Sequence, residues 1–129
     1  MAQILIVEDD TDTREYLVRL LASDGHECTT CTSAEEAEAI CCCHLPELAI
    51  VDIRLPCKHG VDLAWQLRRR KPDLPIVIMS AVLAHWDPDD LRDCGADAIL
   101  AKPAPVQQIL DTVRDLLLQE RPSPQILLP

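Results

Sequence analysis

Glycine is scarce: only Gly25, Gly60 and Gly95 occur in 129 residues, and they lie far apart. A glycine-rich phosphate cradle or a dinucleotide fingerprint needs several glycines within one turn, so nucleotide binding of that kind is excluded. No apolar run approaches the ~18 residues of a membrane span, and no basic N-terminal region precedes a long apolar stretch. Basic charge is short as well. Twelve Lys and Arg against 22 Asp and Glu leave a net charge of −10, whereas a chain that grips a nucleic acid backbone by itself needs the opposite surplus. With 48% apolar and 26% charged residues the composition is that of a globular chain, not a disordered tail. The expectation is one soluble, cytoplasmic domain with no direct nucleic acid binding and no membrane contact.

Seven cysteines (Cys28, Cys31, Cys41, Cys42, Cys43, Cys57, Cys94) stand against this background. An odd count and the lack of an export signal argue against a disulfide scaffold. Cys28-x-x-Cys31 has no second Cys/His pair at finger spacing and sits in a strand-like segment. Cys41-Cys42-Cys43-His44 is the better metal candidate, but neighbours on a helix diverge by about 100° and cannot all face one ion. The thiols are read as small packing residues.

Short apolar runs alternate with amphipathic segments. Ile4-Leu5-Ile6-Val7 ends on Glu8-Asp9-Asp10, and residues 12–23 follow with Leu17, Leu20 and Leu21 on one helical face and Gly25 to end it. Glu27 to Cys31 is polar, as an edge strand is. Ser33-x-x-Glu36 is a capping box opening a helix through about Cys43. Leu48-Ala49-Ile50-Val51 then stops on Asp52. A helix after Gly60 (Val61, Ala64, Leu67) ends in Arg68-Arg69-Arg70-Lys71, a basic cluster that complements the negative end of the helix. Ile76-Val77-Ile78-Met79 stops on Ser80, and Asp87-Pro88 caps a short helix to Cys94-Gly95. Ala98-Ile99-Leu100 is the last strand, another edge, followed by Lys102-Pro103 and a helical stripe from Val106 to Leu117. Residues 120–129 carry three prolines and are read as a tail.

Five strands, each followed by a helix, call for an α/β doubly wound architecture with a parallel sheet covered on both faces. In such sheets ligands collect at the carboxyl ends of the strands. Those ends carry Glu8 and Asp9, then Asp52, Ser80 and Lys102. Clustered carboxylates repel unless a cation neutralises them, and Mg²⁺ suits carboxylates together with backbone oxygen and water. A lysine and a hydroxyl beside that ion are suited to holding a phosphoryl group, and a carboxylate can serve as nucleophile.

At this point ILIVEDD, IVDIRLP with Gly60 beyond, PIVIMSA and GADAILAKPA closely resemble the receiver domain of two-component response regulators, over about residues 3–119. The motifs stand in order, with 43 positions from Asp9 to Asp52, then 28 to Ser80 and 50 to Lys102. The resemblance implies a CheY-like, flavodoxin-like (βα)5 domain over residues 1–119, with a five-stranded parallel sheet in the order 2-1-3-4-5. It also implies Asp52 as phosphoacceptor, and Mg²⁺ held by Glu8, Asp9, Asp52 and the backbone carbonyl of Arg54. Asp9 is then the direct ligand and Glu8 acts through water. Ser80 and Lys102 meet phosphoryl oxygens, a cis peptide precedes Pro103, and Asp10 caps a helix. The implied partners are a histidine kinase or histidine phosphotransfer protein as donor and an unidentified output domain or effector.

Two departures and one pair of variable positions stand out. Ile99 holds a place where the family has Tyr or Phe, and an aliphatic side chain cannot swing inward as that aromatic does. Cys57-Lys58-His59 replaces the usual loop before Gly60. Arg54 and Val82 match positions that influence phosphoryl lifetime, and a long cation at Arg54 screens the acyl phosphate from water. Two rivals remain at this stage: a phosphorylation-independent pseudo-receiver that only binds partners, and a phosphohydrolase of the haloacid dehalogenase type. The second needs an Asp two positions after the nucleophile, where this chain has Arg54. The expectation is a domain that assists its own phosphorylation and dephosphorylation but is not an enzyme turning over a separate substrate.

Overall fold

Among the described residues, the short apolar runs form strands, and the amphipathic segments pack as helices on the sheet those strands build. The computed structural model describes residues 2–53, 60–80, 95–118 and 125–127. Its strands are β1 (Gln3–Val7), β2 (Glu27–Cys31), β3 (Leu48–Asp52), β4 (Ile76–Ser80), β5 (Ala98–Ala101) and β6 (Gln125–Leu127). The helices are α1 (Thr11–Ser23), α2 (Ala34–Cys43), α3 (Gly60–Arg70) and α4 (Val106–Leu118). The expected helix between Asp87 and Cys94, the Cys57-Lys58-His59 loop, Arg54 and Val82 lie outside the described residues.

All strand pairs are parallel, and the order is β2-β1-β3-β4-β5-β6. The first five strands follow the anticipated order 2-1-3-4-5. The sixth is a correction. Residues read as tail include a strand, with Ala98 opposite Gln125 and Leu100 opposite Leu127, so β5 is an inner strand instead of an edge. A three-residue strand, Gln-Ile-Leu, behind two prolines is too short to carry a period, which is why the sequence hides it.

Strand alternation sends side chains to two opposed cores. One holds Leu17 and Leu21 of α1 with Ile109, Val113 and Leu116 of α4, over Ile4, Ile6, Ile50, Val77 and Leu100. The other holds Ala34, Ala37 and Cys41 of α2 with Leu63, Ala64 and Leu67 of α3, over Leu5, Val51, Ile78 and Ile99. Helices α1 and α4 therefore cover one face, and α2 and α3 the other. No helix among the described residues is long and apolar enough to cross a membrane.

The helix ends are built as their residues suggest, with one variation. The Asp10 carboxylate accepts from the Thr13 N–H at 2.9 Å and caps α1, and Gly25 takes φ +89° just beyond it. Ser33 Oγ accepts from the Glu36 N–H at 3.2 Å. The returning arm of that box reaches one residue further back, where Glu36 Oε1 accepts from the Thr32 N–H at 3.3 Å.

The basic end of α3 does more than balance a dipole. Arg68 reaches across to the start of β5, donating from Nη2 to Asp97 Oδ2 at 2.6 Å and to the Gly95 carbonyl at 2.8 Å. The same Asp97 oxygen accepts from the Ile76 N–H at 2.9 Å. One buried carboxylate thus joins α3, β4 and β5 at the amino end of the sheet, opposite the chemical rim.

The cysteines divide by environment. Cys31 and Cys41 are buried packing residues, Cys28 is half-buried, and Cys42 and Cys43 are exposed; all five are free thiols. Among these five described cysteines, the packing assignment holds for Cys31, Cys41 and Cys28; Cys57 and Cys94 lie outside the described residues. Burial, reinforced by the charges of Glu36 and Cys41, pushes the Cys31 thiol up to about 12. Against an ordinary thiol near 9.0, its thiolate fraction at neutral pH falls about a thousandfold. A maleimide at neutral pH should therefore label Cys42 and Cys43 in the native chain and spare Cys31 until it is unfolded, as peptide mapping would read.

Candidate functional site

The carboxyl ends of β1, β3, β4 and β5 converge on one rim. Glu8 follows β1 directly, and its N–H donates to the Cys31 carbonyl at 3.0 Å, so the ladder with β2 runs one residue past the strand. Its side chain is consequently turned inward and is 2% exposed, while Asp9 is exposed. Asp52 ends β3 at 8% exposure, opposite Met79 of β4. Ser80, fully buried, is the next residue along β4 and lies opposite Ala101. Lys102 follows β5, and its N–H donates to the Ser80 carbonyl at 2.8 Å, extending that ladder in turn. The Lys102–Pro103 peptide is cis, as the resemblance implied.

Five residues spread over 95 positions are thereby drawn to one end of the sheet by strand topology alone. Ligand oxygens of Glu8, Asp9 and Asp52 lie within 4.8 Å of one another. The Lys102 ammonium pairs with Glu8 and stands 3.6 Å from Asp52 Oδ2. Burial pushes the Glu8 carboxyl above the usual carboxylate range. Hydrogen bonding and charge from Asp52 push the same way, and Lys102 pulls back. Three acids with one ammonium are therefore one cation short of balance, and their oxygens fit a small hard divalent ion reached directly or through water.

Some features of the rim left no trace in the sequence. The pairing of Lys102 with Glu8, and the Arg14 Nη1 donating to the Glu8 carbonyl at 3.0 Å, join residues with no shared motif. Ile99 is 2% exposed and packs into the core under α2 and α3. It occupies the interior already. Beside Lys102, a cleft of about 510 Å³ opens between α1 and α4, lined by Asp12, Thr13, Tyr16, Met79, Pro103 and Ile109 among others.

A family model described as the response regulator receiver domain matches residues 4–114. The chain belongs to the response regulator receiver domain family. Among similar curated proteins, the virulence transcriptional regulatory protein PhoP of Salmonella typhimurium is 30% identical over 117 residues, covering 91% of this chain and 52% of that protein. PhoP of Escherichia coli O157:H7 is 30% identical over 115 residues, with 89% and 52% covered. The receiver thus spans about half the length of these relatives. Among solved structures, the response regulator TrrA of Thermotoga maritima, in complex with Mg²⁺ and BeF, superposes with a TM-score of 0.82 at 29% identity. That match covers 90% of this receiver and 99% of TrrA. A CheY-like receiver domain protein from Methanospirillum hungatei shares the fold with a TM-score of 0.86 at 24% identity, covering 93% and 96% of the two chains.

Proposed function

We propose that this receiver is a phosphorylation-dependent switch of two-component signalling, with Asp52 as the residue that accepts the phosphoryl group. The observation that carries the reading is the meeting of Glu8, Asp9 and Asp52 oxygens within 4.8 Å, with the Lys102 ammonium 3.6 Å from Asp52. An Asp52 oxygen attacks the phosphorus of a phosphohistidine, a P–O bond forms as the P–N bond breaks, and the imidazole nitrogen leaves with the electron pair. Lys102, already between the acids, meets a phosphoryl oxygen, and the Ser80 hydroxyl donates to another. Glu8, Asp9, Asp52 and the Arg54 carbonyl would hold Mg²⁺, which supplies charge neutralisation for the transferring group; its presence in the TrrA complex supports that choice.

Residues 1–119 carry the phosphoacceptor machinery in this reading, and Gln125–Leu127 adds a sixth strand to its sheet. The phosphoryl donor is a histidine kinase or histidine phosphotransfer protein, and phosphorylation shifts an existing equilibrium between two surfaces toward an output domain or effector. The receiver turns over no separate substrate, acts in the cytoplasm, and with a charge of −10 makes no direct contact with nucleic acid. Incubation with acetyl phosphate and Mg²⁺ should add one phosphoryl group by intact mass. A chain that stays unmodified would be a pseudo-receiver that only binds partners.

Two further outcomes follow from this reading. Tyr16 is 44% exposed at the mouth of the cleft beside Lys102, where a partner presenting its phosphohistidine buries it. Tyr16→Ala should slow transfer from the cognate phosphodonor protein about tenfold, typical of losing one buried aromatic anchor, and leave phosphorylation by acetyl phosphate unchanged. Arg54→Ala should shorten the lifetime of the acyl phosphate, followed as loss of the phosphorylated mass over time. Unchanged or slower decay would remove the screening role of Arg54.

A further inference from the structure

The three crossovers β1–α1–β2, β2–α2–β3 and β3–α3–β4 share one hand. The first steps in one direction along the sheet with its helix on one face; the other two step in the opposite direction with their helices on the opposite face. Parallel crossovers are right-handed in about 98% of cases, which fixes that shared hand. The crossover β5–α4–β6 breaks it. It steps in the same direction as β3–α3–β4, yet α4 lies on the face of α1. Strand β6 therefore reaches the sheet within its own chain by a left-handed crossover.

The edge that β6 covers is itself unprotected. Strand β5 reads Ala-Ile-Leu-Ala, without the charge, proline or bulge that shields an edge. At the other edge, β2 reads Glu-Cys-Thr-Thr-Cys and is largely exposed and polar. The backbone of Ala98–Leu100 thus offers a ladder to an extended strand, and Gln125–Leu127 matches it in parallel register. When the same segment comes from another molecule, no crossover joins the two strands, and the handedness restriction disappears.

We propose that the β5 edge is a strand-accepting interaction surface whose partner is the Gln125–Leu127 segment of a second copy of this chain. The exchange is reciprocal, so each copy donates one strand and accepts one about a two-fold axis. Seven Cα steps from Leu118 to Gln125 reach at most about 25 Å, enough to pass between neighbouring copies whose α4 ends face each other. This inference does not depend on Asp52 chemistry.

The full chain under reducing conditions, weighed by sedimentation from micromolar to millimolar concentration, should rise from the mass of one chain to twice that mass. In an equal mixture of ¹⁵N-labelled and ¹³C-labelled copies, isotope-filtered NOEs should connect Ala98–Leu100 of one copy with Gln125–Leu127 of the other. Ile126→Pro and Leu127→Pro are the matching variants, since alternate residues of a strand face the ladder and one of the two loses a paired N–H. At least one should return the single-chain mass while keeping a native thermal transition. If neither proline variant folds, the filtered NOEs of the unsubstituted mixture decide. A single-chain mass at every concentration, NOEs only within one copy, or a dimer indifferent to both prolines would overturn the proposal.

Discussion

Phosphoryl incorporation should vanish in Asp52→Asn, while the fold should survive with a melting temperature at or above that of the parent. The amide nitrogen and oxygen that replace the carboxylate are the same size but lack the charge that makes an oxygen nucleophilic. Among the described rim acids, Glu8 is 2% exposed and paired with Lys102, and Asp9 stands exposed beyond β1, whereas Asp52 ends the central strand β3. Stability moves the other way because Asp52 raises the cost of keeping Glu8 ionised, through both its charge and its hydrogen bond. Removing one of two crowded acids relieves that repulsion. Intact mass after acetyl phosphate and Mg²⁺ reads the first effect and thermal denaturation the second. Incorporation at the parent level would defeat the assignment of Asp52, and a cooperative transition ensures that its loss reports chemistry.

The largest loss of stability is expected at the opposite end of the sheet, at Asp97. Its carboxylate is the common acceptor for Arg68 at 2.6 Å and the Ile76 N–H at 2.9 Å, and its side chain is 11% exposed. Asp97→Ala leaves the half-buried Arg68 guanidinium without its counter-charge and the buried Ile76 N–H without its side-chain acceptor. Breaking one partner of such a pair costs about 3 kcal/mol, or about 10 °C in melting temperature for a domain of this size. Asp97→Asn keeps an oxygen for Ile76 and loses only the charge, so about half that cost is expected. Equal losses in the two variants would show that the backbone acceptor contributes nothing.

These two sites differ in how far the sequence discloses them. The rim is legible because strand ends announce themselves: Ile4–Val7, Leu48–Val51 and Ile76–Met79 each stop abruptly on a polar residue, and parallel topology sends all those stops to one side. The Asp97 junction is invisible for the contrary reason. Arg68 sits in a basic run that a helix dipole explains locally, Asp97 hides between two alanines, and 29 positions separate them. Strand β6 escapes because three residues hold no period and only an available edge gives them a place. The exposure of Cys42 and Cys43 beside buried Cys41 follows from the angular step of a helix, once its buried face is known. The pairing of Glu8 with Lys102 needs coordinates, since composition at a strand end does not say which acid turns inward.

The backbone bond from the Lys102 N–H to the Ser80 carbonyl, at 2.8 Å, has a consequence for thermodynamic bookkeeping at this rim. The hydroxyl and the ammonium are carried by one continuous ladder, so neither can be displaced without straining the other's peptide plane. Substitutions at the two positions should therefore be non-additive in a double-mutant cycle, and amide resonances on both strands should report a single exchange process with one common rate.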